Sequence, residues 1–257
     1  MKRRNFVKSS VALSTIPTAC VTTKLVDSKI SETIQNELYE WRSYDIKWGT
    51  NTQPLISYLS EALQPAMKRA GAKHFMLFEE IAPGGPKKMH VLISYPTPQI
   101  YFSAQHLQDD KVYTSAAAAY HELAPDQAIF HRYSSDLLQA FDGLKQMMEP
   151  SDETTVYELR TYEGYSEDAV RRKIAMFNDE EIPLFIKVGL HPIFFGEMLS
   201  GPYRPCLVYM IHFKDMDAHA AAWKAFLDSP EWNAMKTLPK YANTVSNIRN
   251  VFLKRMA

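Results

Sequence analysis

Three side chains that could bind an anion or share a proton occur at alternate positions: Glu158, Arg160 and Tyr162. Carboxylate, guanidinium and phenol groups at this spacing can hold a carboxylate-bearing ligand, because the planar guanidinium donates two parallel hydrogen bonds. Alternate residues of a β-strand point to the same face. If this segment is a strand, the three side chains therefore line one surface.

The segment 157–162 has a related copy at 39–44, and the copy contains Glu40, Arg42 and Tyr44 at the matching positions. Moving the sequence along itself by the same offset of 118 residues also aligns two prolines and two glycines: Pro65 with Pro183, and Gly71 with Gly189. A repeat that keeps its register over this distance predicts two structural modules. We place them at 37–150 and 151–257.

Each module has the pattern strand, helix, strand, strand, helix, strand, from its apolar periodicity and its turn residues. This order is typical of a ferredoxin-like module, in which helices cover one face of a sheet and leave the other face bare. The second copy can cover that bare face. The sequence therefore predicts an α+β fold in which two tandem ferredoxin-like modules form an intrachain dimeric α+β barrel.

The orientation of the two polar trios follows from strand alternation. Tyr157, Leu159 and Thr161 are the more apolar set, and we expect them to meet the helices. Glu158 and its two companions would then face the space between the sheets, and so would the trio around Glu40. This predicts a small-molecule site between the two sheets. The alternative is that each glutamate forms a buried structural ion pair with the arginine two residues later.

Other candidate residues are isolated in the sequence. His191 begins a predicted strand, where an imidazole can act as a base, bind a ligand or coordinate haem iron, or can be a hydrogen-bonded structural residue. His212 has the same alternatives. Trp223 and Trp232 lie at helical spacing and are expected in the core. We assign no catalytic residue and no metal site, since no pair of ligands has a recognisable metal spacing.

The first twenty residues form a separate region with four basic and no acidic side chains. Paired arginines at Arg3 and Arg4, followed by a short apolar core, are typical of a twin-arginine export signal; the alternative is a disordered basic tail. Cys20 could carry a lipid after cleavage, and 21–36 would be a tether. We therefore expect an exported protein, periplasmic or lipid-anchored at the cell envelope.

Several motifs of the second module occur in the order found in one known family. They are the strand 156–162, Gly-Leu-His at 189–191, Ala-Ala-Trp at 221–223 and Ser-Pro-Glu-Trp at 229–232. With these motifs the second module resembles the NIPSNAP family over about 100 residues. The first module keeps the strand motif but lacks the Pro-Glu-Trp signature, so we interpret it as a diverged copy.

The resemblance implies a ferredoxin-like fold within the dimeric α/β-barrel group, which includes cofactor-independent monooxygenases and haem-active enzymes. It brings no catalytic motif. We expect a protein that binds a small molecule, with an enzyme of either of those types as the alternative. A third possibility is an assembly role through a protein partner or a second copy. No cofactor is expected, although haem fits the group.

The zero net charge and the lack of a basic stripe exclude nucleic acid as a partner.

Overall fold

The computed structural model of the chain describes residues 35–81 and 85–256, and these residues lie in one compact unit. The predicted export signal 1–20, the lipidation residue Cys20 and nearly all of the tether 21–36 lie outside the described residues. So does part of the predicted turn 83–86.

Eight strands and eight α-helices are present in the described part of the chain. The strands are β1 Leu38–Ile46, β2 His74–Glu80, β3 Lys88–Tyr95, β4 Phe130–Ala140, β5 Val156–Glu163, β6 His191–Ser200, β7 Cys206–Phe213 and β8 Asn247–Arg255. The helices are α1 Gln53–Ser57, α2 Gln64–Arg69, α3 Pro98–Ser103, α4 Lys111–His121, α5 Glu167–Met176, α6 Ile182–Val188, α7 Met216–Asp228 and α8 Pro230–Met235. Among the described residues no helix has the length and apolar character to cross a bilayer.

The strands close into one antiparallel barrel with the order β1-β3-β2-β8-β5-β7-β6-β4. The pairs β4–β6 and β2–β8 join the two halves of the chain. Within each half the first strand pairs with the third in the same register: Arg42 is opposite Val91, and Arg160 is opposite Tyr209. This structure confirms the predicted α+β fold and the barrel formed within one chain.

Alternate residues of the strands divide the apolar core into three clusters. One fills the barrel centre and includes Tyr39, Trp41, Tyr157 and Leu159. The other two lie between the outer surface of the barrel and the helices, one in each half of the chain. Because the strands surround it, the centre of the barrel is shielded from water on its sides, and apolar side chains are favoured there.

The first helical region of each half contains a π-helical segment. The segments Tyr58–Leu63 and Phe177–Glu181 lie immediately before α2 and α6, which have Pro65 and Pro183 at their second positions. A proline lacks a backbone N–H and interrupts the regular helical hydrogen bonds. The wider π turn accommodates this interruption, so the helix continues past the proline.

The helices that cover β5 begin and end at residues suited to those positions. Ser166 and Asp215 accept hydrogen bonds from the backbone N–H groups of Ala169 and Ala218 at the starts of α5 and α7. Ser229 caps α8 in the same way. Gly189 ends α6 with φ +86°, a left-handed conformation that favours glycine. These caps fix where the helices lie over the sheet.

We predict that Gly189→Ala lowers the free energy of unfolding by about 1 kcal/mol, because alanine is strained at positive φ. A Cβ at this position meets no atom closer than 3.9 Å, so the cost comes from the backbone alone. Urea denaturation measures it. Gly85→Ala is the control, since Gly85 has no positive φ and open space around it. Equal stability of both variants would contradict the assignment.

Candidate functional site

The orientation of both polar trios differs from the prediction. Glu158, Arg160 and Tyr162 face the helices on the outer side of the barrel, and so does the trio of Glu40, Arg42 and Tyr44. The more apolar Tyr157 and Leu159 fill the barrel centre instead. The prediction that the two trios line a site between the sheets is therefore wrong: the barrel centre takes the apolar set, whereas the helix layer offers polar partners for the charges.

The second-half trio lines a cavity of about 470 Å³ between β5, β8 and the helices α5 to α8. Six of its fifteen lining residues have aromatic side chains: Tyr162, Phe185, Trp223, Phe226, Trp232 and Phe252. The polar lining consists of two acidic, two basic, one imidazole and one amide side chain: Glu158, Glu181, Arg160, Lys173, His219 and Asn250. A mainly apolar cavity with a few convergent polar groups is the usual form of a small-molecule site.

Glu158 is the most buried charge in this cavity, with 1% of its surface exposed. Its Oε1 accepts a hydrogen bond from Arg160 Nη1 at 2.6 Å. Its Oε2 accepts from Trp223 Nε1 at 2.9 Å and is 3.1 Å from His219 Nε2. Both oxygens therefore have donors, which is what a buried carboxylate requires.

Arg160 is only partly satisfied by this network. Its Nε is buried and has no hydrogen-bond partner among the described residues. Its guanidinium carbon lies 4.6 Å from the centre of the Trp223 ring and 5.5 Å from that of Tyr162, so the cation stacks on aromatic faces. An arginine held in this way is oriented, and its side chain forms part of the cavity lining.

A second ion pair lies deeper under the helices. Lys173 Nζ is 2.5 Å from Glu181 Oε1, and the two side chains are 6% and 2% exposed. Burial raises the pKa of Glu181, and Lys173 opposes that rise. The ammonium group also lies 4.8 Å from the ring centre of Phe177. The ammonium group of Lys173 therefore has both an ion-pair partner and an aromatic contact.

Two phenols form another part of the site. Tyr209 donates a hydrogen bond to the hydroxyl of Tyr162 over 3.0 Å. Burial raises the pKa of both phenols, so both are neutral at physiological pH. A neutral Tyr162 hydroxyl can act as a donor toward a ligand in the cavity.

In the first half, both carboxylate oxygens of Glu40 accept hydrogen bonds from neighbouring side chains. Arg42 donates to both oxygens of Glu40, from Nε at 2.7 Å and from Nη2 at 3.0 Å. Tyr95 and Ser135 donate to the same carboxylate at 2.7 and 2.6 Å. Burial opposes the charge, yet the hydrogen bonds from Arg42 and these hydroxyls lower the pKa of Glu40. Arg42 lines a cavity of about 530 Å³, but here the ion-pair alternative describes the contacts well.

Tyr44, the third member of the first-half trio, is buried and stacks on Tyr133 with ring centres 5.0 Å apart. Burial raises the pKa of Tyr44 to about 12. Its place in the structure is therefore a core contact beside Arg42.

His191 does not join either trio. It is exposed at the start of β6, and its ring centre lies 5.5 Å from that of His212. A register shift between Pro192 and Phe194 separates it from the alternation of the strand. His212 is buried and bonds Thr154 Oγ1 through Nδ1 at 2.8 Å. No group of three or more potential metal ligands occurs within 35–81 and 85–256.

The sequence analysis predicted only three of the fifteen lining residues as site residues, and the residues that it missed include Lys173, Glu181, His219, Trp223 and Trp232. The tryptophans pack against the core as expected, but they also form the cavity wall. His219 and Trp223 lie four residues apart on α7, which places both on one helix face. The four-residue spacing could have predicted that the two side chains lie on one face of a helix. It could not have predicted which strand that helix face covers.

Comparison with known proteins agrees with this fold. Residues 157–257 match the NIPSNAP family model, so the second half carries a NIPSNAP domain. A crystal structure of a "putative monooxygenase" from Fusobacterium nucleatum has a TM-score of 0.59 at 9% identity and covers 88% of this chain and 94% of that chain. A protein of the same description from Lactobacillus acidophilus has a TM-score of 0.55 at 9% identity, with coverage of 86% and 94%.

A mutant chlorite dismutase from Candidatus Nitrospira defluvii has a TM-score of 0.51 at 5% identity and covers 88% of this chain and 93% of that chain. At these identities the likeness shows the fold alone. None of the curated proteins compared with the sequence matches it.

We predict that Lys173→Leu alone destabilises the protein by about 3–5 kcal/mol, because it leaves a carboxylate buried without its cation. The double variant Lys173→Leu/Glu181→Leu should recover most of this loss. It introduces the leucines that occur 118 residues earlier, Leu55 and Leu63. Guanidinium denaturation compares the variants.

The exposed pair of Lys187 and Glu231 supplies the control. Lys187→Leu should change the free energy of unfolding by only about 0.5 kcal/mol. A double variant at 173 and 181 that is no more stable than the single variant would show that the ion pair itself holds the helices in place.

We also predict a pH dependence at His212. Burial, and then His191, lower the pKa of His212 to about 4. In the unfolded chain a histidine titrates near 6.5, so between these values the unfolded state binds more protons and stability falls as the pH falls. His212→Asn should reduce that acid-induced loss by about 2 kcal/mol. Urea denaturation at about pH 7 and about pH 4 tests this; an unchanged loss would contradict it.

Proposed function

We propose that the second half of this protein binds a small aromatic carboxylate in the cavity under α7. The observation that carries the proposal is Arg160, which lines an aromatic-containing cavity and whose buried Nε has no hydrogen-bond partner among the described residues. A buried donor without a partner costs free energy that a ligand oxygen can recover. The carboxylate of a ligand matches the geometry of a guanidinium better than any single hydroxyl does.

The side chains that line the cavity favour an aromatic ligand. Trp223 and Trp232 line the same cavity as Arg160, together with Phe226 and Phe252. Flat apolar rings pack favourably against such faces, in offset or edge-on contacts. A volume of about 470 Å³ lies within the range of sites for small molecules. An aromatic acid of one or two rings therefore fits both the charge and the shape.

Isothermal titration calorimetry with 2-naphthoate tests the proposal, with 2-naphthalenemethanol as the uncharged analogue. We predict that the acid binds and that the alcohol binds at least about tenfold more weakly, a difference of about 1.4 kcal/mol. Arg160→Lys should lower the affinity for 2-naphthoate by a similar factor, since lysine keeps the positive charge near Glu158 but lacks the planar fork.

Arg42→Lys is the matched control, because Arg42 occupies the equivalent strand position and binds Glu40 through Nε and Nη2. It should leave the affinity for 2-naphthoate unchanged. Equal binding of acid and alcohol, or equal effects of the two lysine variants, would refute the assignment of Arg160. Arg160→Leu separates the roles further: loss of binding with folding retained supports a ligand site, whereas collapse of folding supports a structural ion pair.

A second candidate is oxidation of the bound molecule, as in a cofactor-independent monooxygenase. His219 favours it, because this imidazole lies in the cavity wall and is held in place by Glu158. A positioned imidazole can accept a proton from a phenolic substrate. Oxygen consumption with 1-naphthol, compared between the wild type and His219→Gln, tests this. Consumption that does not depend on His219 would remove the candidate.

Haem suits these residues poorly. The imidazole that lines the cavity, His219, has its Nε2 3.1 Å from the carboxylate of Glu158 and so does not present that nitrogen to an iron. A haem ligand needs a free ring nitrogen aimed at the metal. We therefore derive no step through haem.

We further propose that the chain is exported and that its first half is a diverged copy of the second. The arginine pair near the start and the offset of 118 residues between the two strand motifs support these two statements. Cell fractionation of a chain with Arg3→Lys and Arg4→Lys, compared with the wild type, tests export. Retention of the variant inside the cell supports a twin-arginine signal, and identical distribution contradicts it.

A further inference from the structure

A second polar cluster lies inside the barrel, on three neighbouring strands of the first half. Ser43 Oγ on β1 is 2.9 Å from His90 Nδ1 on β3. His90 Nε2 is in turn 3.1 Å from Glu80 Oε1 at the end of β2. The order serine, histidine, carboxylate is that of an activated nucleophile with its base and the group that orients the base.

The proton positions follow from the partners. The Glu80 carboxylate accepts only, so His90 Nε2 carries the hydrogen that it shares with Glu80. His90 Nδ1 is then free to accept the hydroxyl proton of Ser43. The imidazole is 5% exposed and stacks on Trp41, with ring centres 4.9 Å apart and planes at 20°. It is therefore held in the orientation that proton transfer from Ser43 requires.

The serine lies at the open end of the barrel. Its direct partner across the β1–β4 pairing is Ser134, which is exposed, and Arg132 beside it is exposed too. Ser43 itself is only partly buried, whereas His90 below it is buried. A small molecule can therefore approach the hydroxyl from solvent while the base stays shielded.

We propose that Ser43 is a nucleophile that accepts acyl groups from small activated esters. Ser43 Oγ attacks the ester carbonyl carbon and its proton passes to His90 Nδ1. The ester C–O bond then breaks, the leaving alcohol takes that proton, and an acyl-serine remains. Water hydrolyses the acyl-serine with the same proton path, which releases a carboxylic acid and restores Ser43. Glu80 is a positioning residue for His90.

The test uses the full chain with p-nitrophenyl acetate and with diisopropyl fluorophosphate, and peptide mass spectrometry locates the adduct. We expect modification of Ser43 in the wild type and none at that position in Ser43→Ala. His90→Asn should slow the labelling about a hundredfold, the usual contribution of a general base. Ser134→Ala is the control, because Ser134 lies at the same level of the barrel and is not bonded to His90; it should react as the wild type does.

The positioning role of Glu80 is tested by a measurement that a purely structural role would leave unchanged. Glu80→Gln should slow labelling, and Glu80→Asp should restore much of the rate, with both variants folded by circular dichroism. Absence of an adduct on Ser43 in the wild type overturns the proposal. Labelling of Ser43 that is undiminished in His90→Asn, or equal labelling of Ser134, overturns it as well.

Discussion

A buried carboxylate, that of Glu158, determines how the helices of the second half lie on the barrel. A carboxylate that is 1% exposed is stable only if its oxygens are paired and hydrogen-bonded. Its donors come from its own strand, through Arg160, and from α7, through His219 and Trp223. The same contacts that neutralise Glu158 therefore fix α7 over β5 and place an indole against the guanidinium. The cavity is the space that remains beside these contacts.

The closed barrel explains why this charge lies outside and not at the centre. Each strand has one face toward the barrel interior, which is filled mostly by apolar side chains, and one face toward the helices. Tyr157 and Leu159 fill the barrel interior, so the side chain of Glu158 faces the helices. The helix layer therefore supplies its partners His219 and Trp223. A site in this fold is therefore expected between sheet and helices, where polar helix residues and solvent are both in reach.

The two halves handle the same strand motif differently. In the first half Glu40 accepts hydrogen bonds from Nε and Nη2 of Arg42 and from two hydroxyls, so one fork of that arginine is used by its own strand. In the second half, Trp223 and His219 contact one oxygen of Glu158, and Arg160 Nε has no hydrogen-bond partner in the described part of the chain. Gln105 and Tyr101 occupy the corresponding positions of the first half. One shared motif thus forms a bidentate ion pair in the first half and a single Arg160–Glu158 hydrogen bond in the second.

Much of the fold could be predicted from the sequence. Helical and strand periodicity, with the offset between the two strand motifs, predicted the element order and the barrel. Alternation also predicted correctly that Glu158, Arg160 and Tyr162 share one face. It could not decide which face, because the choice depends on partners 61 and 65 residues away on α7.

The ion pair of Lys173 and Glu181 was not visible in the sequence for a related reason. The two residues are eight apart, which is off the spacing of a regular α-helix. The π segment between them adds one residue to a turn, so they face the same side, as residues seven apart normally do.

The most direct test of the central claim is a crystal structure of the protein soaked with 2-naphthoate. We predict that the probe lies in the cavity between β5 and α7, with a carboxylate oxygen within hydrogen-bond distance of Arg160 Nε and the rings against Trp223 or Trp232. A probe bound elsewhere, or a carboxylate turned away from Arg160 toward solvent, would contradict the account.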